Sequence, residues 1–315
     1  MKLQQLRYVC EVHRHGNHIS NVAEALHTSQ PGISKQIQAI EAELGFEIFS
    51  RTRNRIVGLT DPGREFIAIA QRVLMDVDNL RNLGEEFTSQ DNGTLTIATT
   101  NTQARYTLPK VIEKFVKQFP GVRLGLRQGN PTQICELVAA GEADIAIGTE
   151  TAHPFPNLVM LPCFELPRSV IVQAGHPLLK TKRLTLQDIA AFPIITYDPG
   201  FSGRWKVMDA FKRAGIVPNV IFSALDADVS KTYVELGLGI AILSTVSFNR
   251  SRDRGLRARD ASHLFESSTT YITLRPNSYL RRFTFQFIRA FAPDLTPDAV
   301  KAALRKPGKG RTTAA

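Results

Sequence analysis

The sequence predicts an α+β protein of several domains: a small N-terminal helical domain, one long helix, and a larger two-lobed α/β domain. Three patterns in the 315 residues indicate this. A helix-turn-helix pattern with a hairpin occupies residues 1–59, an apolar heptad repeat occupies residues 60–92, and strands alternate with helices over residues 93–295. A chain of this length can form two or three hydrophobic cores.

The helix-turn-helix is predicted from two short helical patterns that meet at His27 and Thr28. Ser20 or Asn21 is expected to cap the first helix and Ser29 the second, because their side-chain oxygens can accept hydrogen bonds from free backbone N–H groups. Gly45 is expected to end the second helix in a left-handed conformation. An amphipathic pattern before this motif, ending at Gly16, predicts one further helix.

The second helix of the motif has an apolar stripe on one side and a small, amide-bearing, singly basic face on the other. Such a face can enter a DNA major groove and contact base edges. An ordinary helical hairpin with a solvated face is the alternative. The predicted DNA contacts of this motif are Thr28, Ser29, Gln30, Pro31, Gly32, Ser34, Lys35 and Gln38.

A β-hairpin is predicted from apolar residues 46–49 and 56–59 on either side of a polar tip. The tip carries Arg51, Arg53 and Arg55, which are expected to lie over the phosphate backbone of double-stranded DNA. A charged turn that only favours solubility is the alternative. With this hairpin the domain becomes a winged helix-turn-helix. Over residues 1–63 it resembles LysR-type transcriptional regulators, most specifically at residues 23–26, 28–37 and 44–51.

Over residues 60–92, Thr60 is predicted to cap a long helix that has Asp61 and Pro62 in its first turn and carries a heptad seam. A lone helix with such a seam must bury it, and pairing with a second copy of the chain is expected, as a dimer or tetramer. Burial against the protein's own domains is the alternative. The seam comprises Phe66, Ile69, Ala70, Val73, Val77, Leu80, Leu83 and Phe87.

The alternation of strands and helices after the turn-rich residues 89–93 predicts parallel sheets flanked by helices. Two such sheets are expected, with a ligand crevice between them. Lobe I is expected over about 93–162 and 268–295 and lobe II over about 163–267, with chain crossings near 160–163 and 265–269. Residues 296–315 are interpreted as a basic tail, disordered from residue 301.

Polar residues at three predicted strand ends mark a candidate effector site. Residues 99–103 join the first strand to a helix, Thr149 follows another strand, and Ser202 precedes a helix. Hydroxyls and helix N-termini meeting at one crevice would suit a small oxyanion. Plain helix capping is the alternative. The candidate residues are Thr100, Asn101, Thr102, Gln103, Thr149 and Ser202.

The same segments, with residues 200–204 and 226–239, resemble the CysB/Cbl branch of the LysR family up to about residue 295. The resemblance implies a periplasmic-binding-protein-like effector domain and control of sulfur assimilation or sulfonate-use genes. It also implies binding of sulfate or acetylated serine through Thr100, Thr102, Gln103, Thr149 and the hydroxyl at position 202. Asn101 stands where His is common, Ser202 where Thr is, and Leu166 near a usual Trp. A LysR-type regulator of another pathway remains the alternative.

Other functions find little support in the sequence. Residues 200–204 lack the last glycine of a nucleophile elbow, and the histidines lack metal-ligand spacing, so no enzyme activity, metal or cofactor is predicted. Three separated cysteines and the lack of a secretory or membrane-spanning segment favour the cytoplasm. The net charge of +10 is not evidence for DNA binding, because residues 1–92 carry 10 Lys and Arg against 12 Asp and Glu. RNA polymerase is expected as a further partner.

Overall fold

The computed structural model describes residues 1–53, 55–88 and 91–305. The chain forms two compact units, Met1–Gly84 and a larger unit that begins at Glu85. The division falls inside one helix, which runs over Asp61–Thr88. Ser89 and Gln90, the first two residues of the predicted boundary, lie outside the described residues. Each unit has a hydrophobic core of its own.

The first unit packs three helices and a hairpin around one core. Ile33, Ile37 and Ile40 are fully or almost fully buried in it, as the apolar stripe predicts. Ser29 accepts a hydrogen bond from the N–H of Gly32, and Gly45 ends the third helix with a φ of 75°, so both predicted caps are confirmed. The elements are α1 (Leu3–Arg14), α2 (Ile19–Ala25), α3 (Gln30–Leu44), β1 (Phe49–Thr52) and β2 (Arg55–Leu59).

Two local predictions for this unit were wrong. Helix α2 begins at Ile19 after His18, without a side-chain cap, so neither Ser20 nor Asn21 caps it. Strand β1 begins at Phe49, three residues later than predicted, because the side chain of Glu41 accepts hydrogen bonds from the N–H groups of Ile48 and Phe49. Arg51 and Arg55 therefore lie in the paired strands rather than at the hairpin tip.

Helix α4 (Asp61–Thr88) begins as predicted, with the hydroxyl of Thr60 accepting the N–H of Gly63. Its first turns belong to the first core through Ile67 and Ala70. Further along, the seam residues Leu80 and Phe87 are 68% and 78% exposed. Within the described residues, no helix is both long enough and apolar enough to cross a membrane.

The second unit contains two five-stranded sheets, one in each lobe. Lobe I is built from β3 (Asn92–Thr99), β4 (Gly121–Gln128), β5 (Ile145–Thr149), β6 (Val159–Leu166) and β12 (Ser268–Leu274). Lobe II is built from β7 (Arg168–Gln173), β8 (Ile194–Tyr197), β9 (Val220–Ala224), β10 (Ile240–Ser244) and β11 (Leu256–Asp260). The strand order is β4-β3-β5-β12-β6 in lobe I and β11-β7-β10-β8-β9 in lobe II.

The sheets are mixed, which corrects the prediction of purely parallel ones. Strands β3, β4 and β5 are parallel, as are β8, β9 and β10, but β12 and β7 run antiparallel to their neighbours. Strands β6 and β11 were not predicted. The first crossing lies at Pro167 and not at 160–163, because β6 continues in the lobe I sheet to Leu166. Pro162 obscured this strand in the sequence, and an edge strand tolerates it.

Helices cover the two sheets. The last helix lies within residues 296–315, which were predicted to be a basic tail, so this part of the prediction was wrong. Residues 297–305 form a helix whose Val300 and Leu304 are buried in the lobe I core, whereas residues 306–315 lie outside the described residues. Lobe I carries α5 (Leu108–Gln118), α6 (Pro131–Ala139), α10 (Arg282–Phe291) and α11 (Pro297–Arg305). Lobe II carries α7 (Leu186–Ala190), α8 (Ser202–Arg213) and α9 (Ala227–Glu235).

Candidate DNA-binding surface and effector pocket

The predicted base-contacting residues lie around the N-terminal half of α3 and the turn before it. Thr28, Ser29, Gln30, Pro31, Lys35 and Gln38 are exposed, while Gly32 and Ser34 are half-buried. The tight turn is formed by His27, whose φ of 48° lies in the left-handed region. The exposed face has hydroxyl, amide and ammonium groups available to base edges and phosphates.

The three arginines of the hairpin occupy different environments. Arg51 donates a hydrogen bond to Glu41 at 2.7 Å, and Glu41 is buried. Arg53 and Arg55 are exposed, and no ion pair among the described residues involves either. Arg51 therefore fixes the hairpin to α3, whereas Arg53 and Arg55 are free to meet phosphates.

The second unit contains a pocket between the two lobes, of about 360 Å³ including space open to solvent. Five of the six predicted effector residues line it, and Asn101 does not. They come from the ends of β3 and β5 and from the start of α8, as the strand-end argument expects. The full lining is Thr100, Thr102, Gln103, Thr149, Leu166, Arg168, Tyr197, Phe201, Ser202, Gly203, Ser244 and Ser268.

Two helix N-termini open at this pocket. A helical stretch begins at Asn101, passes through a π-helical turn over Gln103–Thr107 and continues as α5, and the N–H of Ala104 donates to the carbonyl of Thr100. Helix α8 begins at Ser202. The first N–H groups of a helix have no partner within it, and the helix dipole favours a negative charge there. Both starts therefore favour an anion.

The predicted hydroxyls are connected across the lobes. Ser202 donates to the hydroxyl of Thr149 at 2.8 Å, and its oxygen lies 2.8 Å from the hydroxyl of Ser268. Gln103 is different, because its side chain is fully buried and bonded within lobe I to Thr270 and Thr107. Its side-chain amide therefore holds the π-helical turn in place within lobe I.

Sequence reasoning missed four polar residues of the lining: Arg168, Tyr197, Ser244 and Ser268. Tyr197 and Ser244 end the parallel strands β8 and β10, so the strand-end argument could have found them. Arg168 begins β7 and Ser268 begins β12, which is visible only once the crossings are known. Burial raises the pKa of the Tyr197 phenol, so its hydroxyl stays protonated and able to donate at neutral pH.

An ionic cluster joins the lobes beside the pocket. Arg105 and Tyr106 of lobe I both contact Asp228 of lobe II, each at 2.7 Å. Lys231, buried on α9, donates to the Tyr106 hydroxyl and to Asp253, each at 2.9 Å. Charge-assisted hydrogen bonds of this kind hold the two lobes in the observed arrangement.

Family models match nearly the whole chain. Residues 3–64 match the bacterial regulatory helix-turn-helix protein model of the lysR family, and residues 88–295 match the LysR substrate binding domain. The regulator SsuR of Burkholderia cenocepacia is 47% identical over 306 residues, covering 97% of this chain and 99% of that protein. The regulator CysB of the same organism is 46% identical over 305 residues, covering 97% of each.

Solved structures agree with these matches. The cofactor-binding domain of the Cbl transcriptional regulator is similar with a TM-score of 0.65 and 41% identity, over 68% of this chain and 93% of that one. Full-length OxyR of Pseudomonas aeruginosa, at 23% identity and a TM-score of 0.65, covers 97% of this chain and 95% of its own and shows the same fold.

A helix-turn-helix domain joined to a ligand-binding domain with an inter-lobe pocket defines a DNA-binding transcriptional regulator. The chain belongs to the LysR family of bacterial regulators, whose members control transcription and are not enzymes.

Proposed function

We propose that the protein regulates genes of sulfur assimilation or sulfonate use, and that a small anion such as sulfate, or an acetylserine-like metabolite, gates it. The observation that carries the proposal is the pocket, where two helix N-termini and the hydroxyls of Thr100, Thr102, Thr149 and Ser202 meet. The similarity of the chain to SsuR, CysB and Cbl over nearly its whole length supports the assignment to this pathway. A regulator of another pathway is the alternative.

The proposal includes the partners and the site of action. Double-stranded DNA is bound through the exposed residues of α3 and its preceding turn, with Arg53 and Arg55 on the backbone. Arg51 supports the hairpin through Glu41, and any phosphate contact it makes adds to that role. The exposed seam of α4 supports self-association as a dimer or tetramer. The protein acts in the cytoplasm, with RNA polymerase as its partner in transcription.

The effector assignment is tested by calorimetry with sulfate and with O-acetylserine and N-acetylserine. Thr102→Ala removes one hydroxyl from the pocket, and a lost hydrogen bond to a charged ligand costs about 1.5–3 kcal/mol, or about ten- to a hundredfold in affinity. Thr151→Ala is the matched control, because Thr151 also follows a strand of the lobe I sheet, β5, but donates to the carbonyl of His153 outside the pocket lining. It should bind as the wild type does.

Two outcomes would count against the assignment. Equal binding by the wild type and Thr102→Ala would show that the Thr102 hydroxyl is not part of the effector site. If the wild type binds none of these ligands but an unrelated metabolite alters its DNA affinity, the regulator of another pathway becomes the better proposal.

DNA recognition is tested separately. Lys35→Ala or Gln38→Ala should weaken binding to the operator more than binding to random DNA, because these exposed side chains face base edges in the proposed complex. Equal losses on both DNAs, measured by titration at one salt concentration, would remove them from the base-contacting set.

A further inference from the structure

Arg168 is a buried cation in the wall of the effector pocket. It is 2% exposed and is the first residue of β7, directly after the chain crosses from lobe I to lobe II. One terminal nitrogen of its guanidinium donates to the hydroxyl of Ser268, at the second crossing. Its buried Nε has no hydrogen-bond partner. A buried donor without a partner lowers the stability of the folded protein, so the presence of this one needs an explanation.

The other buried cations of this unit differ from Arg168 in having carboxylate partners. Lys206 pairs with Glu150 and Glu266, and Lys231 pairs with Asp253. None of the ion pairs in the described part of the chain involves Arg168. Glu150 and Glu266 lie near enough to favour its charged form, but Lys206 holds both of them. Burial acts the other way and lowers the pKa of the Arg168 guanidinium.

The unpaired charge borders the hydroxyl network of the pocket. A continuous chain of hydrogen bonds runs from Arg168 to Ser268, then to Ser202, and then to Thr149. It links both crossings to both lobes and ends at the hydroxyls assigned to the effector. A negative charge in the pocket would therefore meet a buried cation that no carboxylate of the described residues contacts directly.

We propose that Arg168 is the charge-selecting residue of the effector pocket: it supplies the positive charge that a fully anionic ligand neutralises, through the unpartnered Nε. This inference rests on the proposed anionic effector and adds to it a requirement for charge, beyond the shape and hydroxyl donors of the pocket. A tetrahedral ligand of the same size but without charge leaves Arg168 unpaired and binds weakly.

The test uses three ligands of similar shape and falling charge: sulfate, methanesulfonate and dimethyl sulfone. Calorimetry on the full-length wild type should show affinity falling by about tenfold or more for each charge removed. In Arg168→Met, the three affinities should converge because the selecting charge is gone. Arg168→Lys should keep the order of preference. If Arg168→Met does not fold, Arg168→Gln, which keeps hydrogen-bond donors but not the charge, serves in its place.

Thermal unfolding gives a second readout that a purely structural arginine would not produce. Removing a buried charge that has no direct carboxylate partner should leave the ligand-free melting temperature unchanged or raise it, while abolishing the rise caused by sulfate. Lys206→Met is the matched control, because it removes a buried cation that is paired. It should lower the melting temperature through the stranded Glu150 and Glu266 and keep the response to sulfate.

Three results would overturn the inference. If the wild type binds dimethyl sulfone as tightly as sulfate, the pocket does not select charge. If Arg168→Met melts earlier but keeps the charge preference, Arg168 is structural. In both cases the anion-sized effector site survives. If the wild type binds none of the three ligands, the proposed effector class fails and this inference fails with it.

Discussion

At the scale of single residues, one carboxylate decides how the hairpin is built. Glu41 accepts the N–H groups of Ile48 and Phe49 and pairs with Arg51. The sequence shows three alternating arginines that look equivalent, and only the fold distinguishes them. Positions 53 and 55 could be predicted as exposed. The pairing of Arg51 with a residue ten positions earlier could not, because it depends on where α3 ends.

Arg53→Ala should lower affinity for all DNA and reduce the slope of log K against log salt by about one unit, because one phosphate contact is lost. Arg51→Ala should instead lower the melting temperature, since it strands the buried Glu41. Salt titrations on operator and random DNA, with thermal unfolding of each variant, separate the two. An unchanged slope for Arg53→Ala would place that arginine away from the backbone.

The cysteines should react slowly with thiol reagents in the folded protein. Burial raises the pKa of Cys10 to about 12 and the pKa values of Cys135 and Cys163 to about 11. Only the thiolate reacts, so at pH 8 a thiol with a pKa near 11 is about 0.1% active, and its rate should rise about tenfold per pH unit. Half-buried Cys163 should react first. Rapid reaction of all three at pH 8 without denaturant would contradict this.

At the scale of elements, the strand–helix alternation placed most of the secondary structure of the second unit. The elements that were missed share a physical reason. Strand β6 contains Pro162, and α11 lies directly before the basic residues 306–311. The sequence predicts a chain crossing and a tail at these two places, whereas tertiary packing against the lobe I sheet makes a strand and a helix. Only contacts distant in sequence distinguish these alternatives.

Helix α11 should therefore contribute to the stability of the effector domain. Leu304→Ala removes a side chain that is 5% exposed in the lobe I core, and such truncations cost about 2–5 kcal/mol. Denaturant unfolding of the full chain measures the loss in the larger unit. Arg305→Ala, at an exposed position of the same helix, is the control and should change little. If the Leu304→Ala protein is as stable as the wild type, α11 does not contribute to the stability of the effector domain.

The seam of α4 should hold copies of the chain together. Val73→Asp with Leu80→Asp places charges on its exposed apolar positions and should yield monomers in sedimentation experiments. Gln71→Asp with Asn82→Asp adds the same charge outside the seam, and should leave the assembly intact. Equal assembly by both variants would show that this seam is not the interface.

At the scale of the whole molecule, the division into a DNA-binding unit and a two-lobed effector unit followed from the sequence, because each has its own periodicity. Five predicted effector residues meet at one pocket, since strand ends converge in such sheets. Arg168 and Ser268 could not be predicted, because they meet only where the two crossings lie side by side.

If effector and DNA binding are coupled, Thr102→Ala should reduce ligand control of DNA affinity by the same factor as ligand binding.

The exposed apolar positions of α4 have a consequence for the protein in the cell. If the seam of α4 pairs copies of the chain as proposed, Leu80 and Phe87 are buried in the assembly and exposed in the single chain, so the stability of this segment obeys mass action. Newly made copies, at low abundance, would expose this apolar surface to proteases and chaperones. The number of copies per cell then sets the fraction of the regulator that is assembled, independently of its ligand. Its melting temperature should accordingly rise with protein concentration.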